Sequence, residues 1–205
     1  RTYALRSAMA SERPLQLRFT KSAPNATDLP DTPAEVAFAG RSNVGKSSLI
    51  NALANRRDLA QTSKTPGRTR LLNAFELNEG AEPHPGVVDL PGYGYAKVPK
   101  HVKDTWGPMI EGYLLEREQL MMVLLLIDGE VGPTELDLAM LDWVRHNLVP
   151  HSVIATKHDK VRASHRDKRR KQVATRCELE VRDVLWVSSA KGVNVDILRG
   201  RVRDW

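Results

Sequence analysis

A single cysteine, Cys177, stands in 205 residues. That excludes an internal disulfide framework and a cysteine-based zinc site. Aromatic residues make up only 5%. The four tryptophans (Trp106, Trp143, Trp186, Trp205) are scattered, so they read as core or surface anchors rather than a base-stacking platform. The longest strongly apolar run, Leu120 to Ile127, has eight residues, against the roughly 20 that a membrane-spanning helix needs. The start of the chain shows no apolar signal-peptide core, and Arg1 is not an initiator methionine, so the chain reads as trimmed. A soluble protein in a reducing, cytoplasmic compartment, with no membrane partner, is expected. The six histidines show no metal-binding spacing and are expected mostly on the solvent side or in loops. Cys177 has no evident histidine partner and reads as a structural thiol.

What is present is a chain of one-domain length, 41% hydrophobic, enough for a sizeable core. The net charge of +6 is unevenly placed. Nine Lys/Arg against two Asp fall between Lys157 and Arg176, a local +7, which leaves the rest of the chain near neutral. SHRDKRRK, Ser164 to Lys171, has no interleaved aromatics. Such a stretch is either a solvated helix face or a grip on a phosphate backbone.

Apolar runs and helical patterns alternate after an irregular start. Residues 1–33 are an N-terminal extension in which Leu15, Leu17 and Phe19 can add a strand; residues 34–205 form the main domain. Strands are expected at Glu35 to Ala39, Leu71 to Leu77, Gly86 to Asp89, Leu120 to Asp128, Ser152 to Thr156 and Asp183 to Ser188. Helices are expected at Ser47 to Asn55, His101 to Arg117, Thr134 to Asn147 (capped by Thr134), Ser164 to Glu180, and from Val195 onward. The continuous run LMMVLLLID reads as a strand buried on both faces of a parallel sheet. The alternation implies an α/β fold, a doubly wound, mostly parallel sheet with helices on both faces.

The first strand runs into Gly40-Arg41-Ser42-Asn43-Val44-Gly45-Lys46-Ser47, which opens a helix. This fits G-x-x-x-x-G-K-[ST] in its strand–loop–helix context. Gly40 and Gly45 let the backbone curl so that N–H groups face phosphate oxygens, with the helix N-terminus adding positive potential. Lys46 supplies charge to the β- and γ-phosphates, and Ser47 can ligate Mg²⁺.

Later motifs bear on the base. Thr156-Lys157-His158-Asp159 lies just past a strand end. A carboxylate at Asp159 can accept hydrogen bonds from guanine N1–H and the 2-amino group, which adenine cannot supply. The Lys157 stem can cover the base, and Thr156 can tie this loop to the phosphate loop. Val187, Ser188, Ser189 and Ala190 follow the next strand, where backbone can meet guanine O6. The alternative is a P-loop ATPase or phosphotransferase acting on a small molecule.

Asp89-Leu90-Pro91-Gly92 also follows a strand. Asp89 can hold Mg²⁺ through water, and the Gly92 N–H can reach a γ-phosphate. Between the phosphate loop and Asp89, either Thr65 or Thr69 can complete the Mg²⁺ shell.

The segments GRSNVGKSSLINAL, SKTPGRTR, DLPGYGYA, TKHDK and SSAKG, in this order, resemble the EngB/YihA/YsxC family, within the TrmE-Era-EngA-EngB-like P-loop GTPases. The similarity runs from about Glu35 to the end of the chain. It implies a small-GTPase-like domain that binds GTP, GDP and Mg²⁺ and hydrolyses GTP. It also implies a role in large ribosomal subunit assembly, with precursor rRNA and ribosomal proteins as partners, and a link to cell division and septation. A monomer is expected. The resemblance places the switch threonine at Thr69, with Gly67, Arg68, Arg70 and Leu71 around it. Lys46, Thr69 and Gly92 are then the candidate catalytic groups. Many GTPases place Gln after D-x-x-G to orient water; here that position is Tyr93, and slow intrinsic turnover is expected. Tyr93 and Tyr95 are candidates for contact with a partner or with the core. In related GTPases an Asn at the position of Asn43 helps hold K⁺ in place of an arginine finger, which makes K⁺ a candidate cofactor. Arg41, Arg68 and Arg70 are alternative sources of positive charge.

Overall fold

The computed structural model describes residues 12–60, 71–93 and 107–205. Among these residues seven strands form one sheet in the order β1-β3-β4-β2-β5-β6-β7. They are β1 (Leu17–Ala23), β2 (Glu35–Gly40), β3 (Leu72–Leu77), β4 (Gly86–Asp89), β5 (Leu120–Asp128), β6 (His151–Thr156) and β7 (Val184–Trp186). The block from β4 through β2, β5 and β6 to β7 is parallel. The edge pair β1 and β3 is antiparallel, as is β3 with β4. The expected α/β sheet is present, and Leu17–Ala23 extends it at one edge.

Among the described residues five α-helices cover the sheet: α1 (Lys46–Leu53), α2 (Gly107–Glu116), α3 (Glu135–His146), α4 (Arg166–Arg176) and α5 (Val195–Asp204). Alternate strand residues divide the core in two, because successive side chains point to opposite faces. Ala37, Ala39, Val123, Leu125 and Ile127 pack with Tyr113 of α2, Met140 of α3 and Val173 of α4. Val36, Phe38, Met122, Leu124 and Leu126 pack with Leu49, Ile50 and Leu53 of α1 and Leu198 of α5. The central strands are therefore buried on both faces, as their unbroken apolar runs require. Among the described residues no helix is long and apolar enough to cross a membrane.

Element ends differ from expectation for local reasons. Helix α4 stops at Arg176 because Glu178 takes a left-handed backbone (φ 53). Strand β7 stops at Trp186 because the Ser188 N–H bonds to Val193 O rather than to β6. The part of the expected second helix from His101 to Trp106 lies outside the described residues. Helix α3 carries a reciprocal capping box between Thr134 and Asp137. Cys177 is buried, and that burial pushes its thiol up to about 11, which keeps it protonated and inert.

His146 and His165 are exposed, and His84 and His158 lie in the segments that follow β3 and β6, as expected; His151 departs from the expectation, buried in β6, and the His158 side chain is buried as well. His151 Nδ1 lies 2.8 Å from Val149 O at the start of a buried strand. His158 packs edge-on against Trp186, with ring centroids 6.0 Å apart.

Candidate nucleotide-binding site

The C-terminal ends of β2, β4, β5 and β6 bring three loops together, the usual place for a ligand crevice in an open α/β sheet. Residues 41–45 form the first. Asn43 (φ 65) and Gly45 (φ 102) both take left-handed backbone, and Gly45 caps α1 without a side chain. Successive N–H groups can then converge on one anion, beside the positive end of α1. Gly40 serves a different purpose from the curl assigned to it. Its φ is not left-handed; a Cβ there would meet Val44 Cγ1 at 2.9 Å and Leu126 Cβ at 3.0 Å. It is small because the loop folds back onto β5.

The second loop follows β4. The buried Asp89 carboxylate pairs with the Lys46 ammonium, both largely shielded from water. Leu90 is buried, and Gly92 lies against the phosphate loop; a Cβ there would meet Ser42 Oγ at 2.8 Å and Ser42 N at 3.1 Å. Residues 91–93 thus run beside residues 40–42. Tyr93, expected to face a partner or the core, faces the core at 2% exposure, and its hydroxyl donates to Asp137 Oδ1 at 3.1 Å. Burial, then the Asp137 charge, holds this phenol well above its usual range. Arg41, proposed as a charge source, donates through Nε to Asp137 Oδ2 at 3.1 Å, so its side chain is turned to α3. Gly67, Arg68, Thr69 and Arg70, along with Thr65 and Tyr95, lie outside the described residues; Leu71 is exposed beside β3.

The third loop joins β6 and β7 to the first. Thr156 Oγ1 donates to Val44 O at 2.6 Å, the expected tie between the two loops. Lys157 Nζ donates to Asn43 O at 3.0 Å and to Asp128 Oδ2 at 2.7 Å. Asp128 itself is fixed by the Glu130 and Val131 N–H groups. Ser188 Oγ donates to Asp159 Oδ1 at 2.5 Å and accepts from Lys191 N at 3.1 Å. This bond, first among the causes, holds Asp159 below the usual carboxylate range, so it stays an acceptor. The His158 N–H donates to Val187 O at 3.0 Å, which brings the 156–159 and 187–190 segments side by side. Ser189 and Ala190 follow in the turn that Ser188 and Lys191 close.

Two acidic groups escaped the sequence reading. Asp128 aligns Lys157, and its signal was a carboxylate ending a buried strand. Asp137 gathers Arg41 and Tyr93, and its signal was the third helical position after the Thr134 cap.

A protein-family model described as a 50S ribosome-binding GTPase matches residues 35–157. The probable GTP-binding protein EngB of Citrifermentans bemidjiense is 44% identical over 188 residues, 91% of this chain and 86% of that relative. Its counterpart in Trichlorobacter lovleyi is 44% identical over 191 residues, 92% of this chain and 94% of the relative. The chain belongs to the EngB family of GTP-binding proteins.

A crystal structure of a probable EngB GTP-binding protein superposes with TM-score 0.63 at 24% identity, covering 84% of this chain and all of that one. Aquifex aeolicus Era, crystallised with GDP and AlF₄⁻, superposes with TM-score 0.60 at 25% identity, over 82% of this chain and 56% of Era. EngB membership makes this a GTP-binding GTPase and decides against the ATPase or phosphotransferase alternative.

Proposed function

We propose that this EngB protein is a Mg²⁺-dependent GTP switch in large ribosomal subunit assembly, acting in the cytoplasm as a monomer. The observation that carries the reading is the match of residues 35–157, which include the first two loops just described, to a family described as a 50S ribosome-binding GTPase. The family link to cell division and septation then follows from ribosome supply.

In this reading the N–H groups of Gly45, Lys46 and Ser47 and the Lys46 ammonium hold the phosphates. The guanine edge meets the Asp159 carboxylate, with Ser189 and Ala190 backbone near O6 and the Lys157 stem over the base. One buried carboxylate and one hydroxyl, Asp89 and Ser47, suit Mg²⁺, which takes few protein ligands and completes its shell with phosphates and water. Thr69 is the proposed third protein ligand. Bound Mg²⁺ would draw charge from the phosphate oxygens. The Gly92 N–H would report the γ-phosphate. No carboxamide follows Gly92, and the Tyr93 hydroxyl is engaged by Asp137, which supports slow intrinsic turnover. K⁺ beside Asn43 is part of the proposal; equal turnover in K⁺ and Na⁺ at equal ionic strength would remove it.

The basic stretch would contact rRNA, but with fewer residues than its count suggests. Arg166 donates to Val161 O, Arg169 to Val131 O and Arg176 to Pro133 O, so these arginines also dock α4. Lys160, Arg162, Lys168 and Lys171 are exposed and are the better phosphate contacts. Cosedimentation with large-subunit precursors tests the switch: binding with a non-hydrolysable GTP analogue and release with GDP are expected. Equal binding in both states, or none, would overturn it. Replacing Arg162, Lys168 and Lys171 by Glu should abolish the GTP-state binding.

A further inference from the structure

One carboxylate clips together the two strands of chain on which the phosphate end of the site depends. Asp137, 2% exposed, accepts four hydrogen bonds. Two come from Thr134 (N at 2.9 Å, Oγ1 at 2.8 Å) and belong to the start of α3. The other two come from outside α3: Arg41 Nε at 3.1 Å and Tyr93 OH at 3.1 Å.

Arg41 and Tyr93 are also backbone neighbours in an isolated parallel bridge. Ser42 N donates to Tyr93 O at 3.2 Å, and Tyr93 N to Gly40 O at 3.3 Å. These backbone bonds are long, near the limit of useful strength. The side-chain clip is charge-assisted and buried, hence stronger. Helix capping alone needs only Thr134 and Asp137, so the convergence of Arg41 and Tyr93 on the same carboxylate is additional.

The geometry points to Asp137 as a positioning residue for GTP recognition, acting through Tyr93 to set where the Gly92 N–H stands against the phosphate loop. Residue 92 is chained to residue 93, and it has no freedom toward Ser42, which already touches the space a Cβ would fill. Releasing the clip lets residue 93 swing and carries the Gly92 N–H with it. A contact made only to a γ-phosphate is then weakened, while contacts to the α- and β-phosphates and to guanine stay. Position 93, which in many GTPases holds the water-orienting Gln, here serves as the handle of this clip.

The inference rests on the phosphate-loop reading under Proposed function. Tyr93→Phe removes the hydroxyl and keeps the ring; Asp137→Asn keeps an acceptor for Thr134 but removes the charge. Affinities for GDP and for a non-hydrolysable GTP analogue, kcat and KM for GTP, and thermal midpoints should be measured for both. In each variant the analogue affinity and kcat should fall roughly tenfold, the worth of a hydrogen bond to a charged group. GDP affinity and the preference for GTP over ATP should stay within twofold. A lowered midpoint with an unchanged analogue-to-GDP ratio in both variants would overturn the inference and leave Asp137 a helix cap. Lys46→Ala, run alongside, isolates the parent reading: undiminished binding of both nucleotides there would sink the phosphate loop itself.

Discussion

The two ends of the central sheet each bury a carboxylate against a cation, and they do so differently. At the N-terminal end, Glu35 accepts from Arg117 Nη2 at 2.5 Å, Tyr113 OH at 2.9 Å and Thr32 Oγ1 at 2.8 Å. Arg117 Nη2 also reaches Pro30 O. At the C-terminal end, Asp89 meets Lys46, and Asp128 meets Lys157, a flexible ammonium in each pair. A guanidinium held by several acceptors is a strut. A lysine with rotatable donors can trade one anion for another. Glu35 ties residues 30–35 to α2, whereas the lysine pairs lie where phosphate and base are proposed to enter. Buried charge alone therefore does not mark a site; what separates the two ends is the cation, a planar guanidinium fixed by several acceptors at one and rotatable ammoniums at the other.

The contrast is sharpest in a pair of variants. Lys46→Ala should lower GTP affinity at least about a hundredfold, as expected for losing a buried charge-assisted contact to phosphate, and it should also lower stability in urea, because it strands the buried Asp89 carboxylate. Arg117→Met should cost about 3–5 kcal/mol for the same reason at Glu35, with GTP affinity of the folded protein unchanged. If both variants lose GTP affinity equally, the distinction between strut and exchangeable pair fails.

Within the site, Asp159→Asn should cut the preference for GTP over ATP by about a hundredfold, since the site's acceptor is replaced by a group that also donates. Calorimetric titration with both nucleotides checks this, and an unchanged ratio would move guanine recognition elsewhere. Thr156→Val should cost about 1–2 kcal/mol in urea unfolding, because Val44 O loses its short buried donor. A neutral result would mean that the two loops are held by backbone alone.

The smallest effect is on pH. His151 and His158 are both held below the usual imidazole range, first by burial and then by nearby arginines, Arg145 for one and Arg166 and Arg170 for the other. A depressed folded value means the unfolded chain binds the extra proton first. Stability should hold above roughly pH 6.5 and decline as the pH falls below it. Thermal midpoints from pH 8 to pH 5 should show the decline, and His158→Gln should flatten part of it. A flat profile in the parent would show that neither imidazole is sealed from water.

Much of the fold was legible because its signals are local. LMMVLLLID read as a doubly covered strand, and Leu49, Ile50 and Leu53 marked the inner face of α1. Thr134 announced the start of α3. The phosphate loop was legible because its glycines and Lys46 occupy one contiguous span, and Thr156 could be read as a tie because a hydroxyl at a strand end has few other uses. Glu178, which ends α4, carried no comparable signal: the left-handed backbone there comes from the turn that follows, not from a glycine.

What the sequence by itself determined is the order of strands and helices, the strand faces that meet the core, and the family, since these follow from short-range periodicity and contiguous motifs. Only the tertiary structure decided the pairings between distant charges. Arg41 and Asp137 are 96 residues apart, Lys157 and Asp128 are 29 apart, and Arg117 and Glu35 are 82 apart. No local pattern selects among 31 Lys/Arg and 25 Asp/Glu. The choice is made when the sheet closes and burial leaves each carboxylate only the cations its neighbouring elements bring within reach.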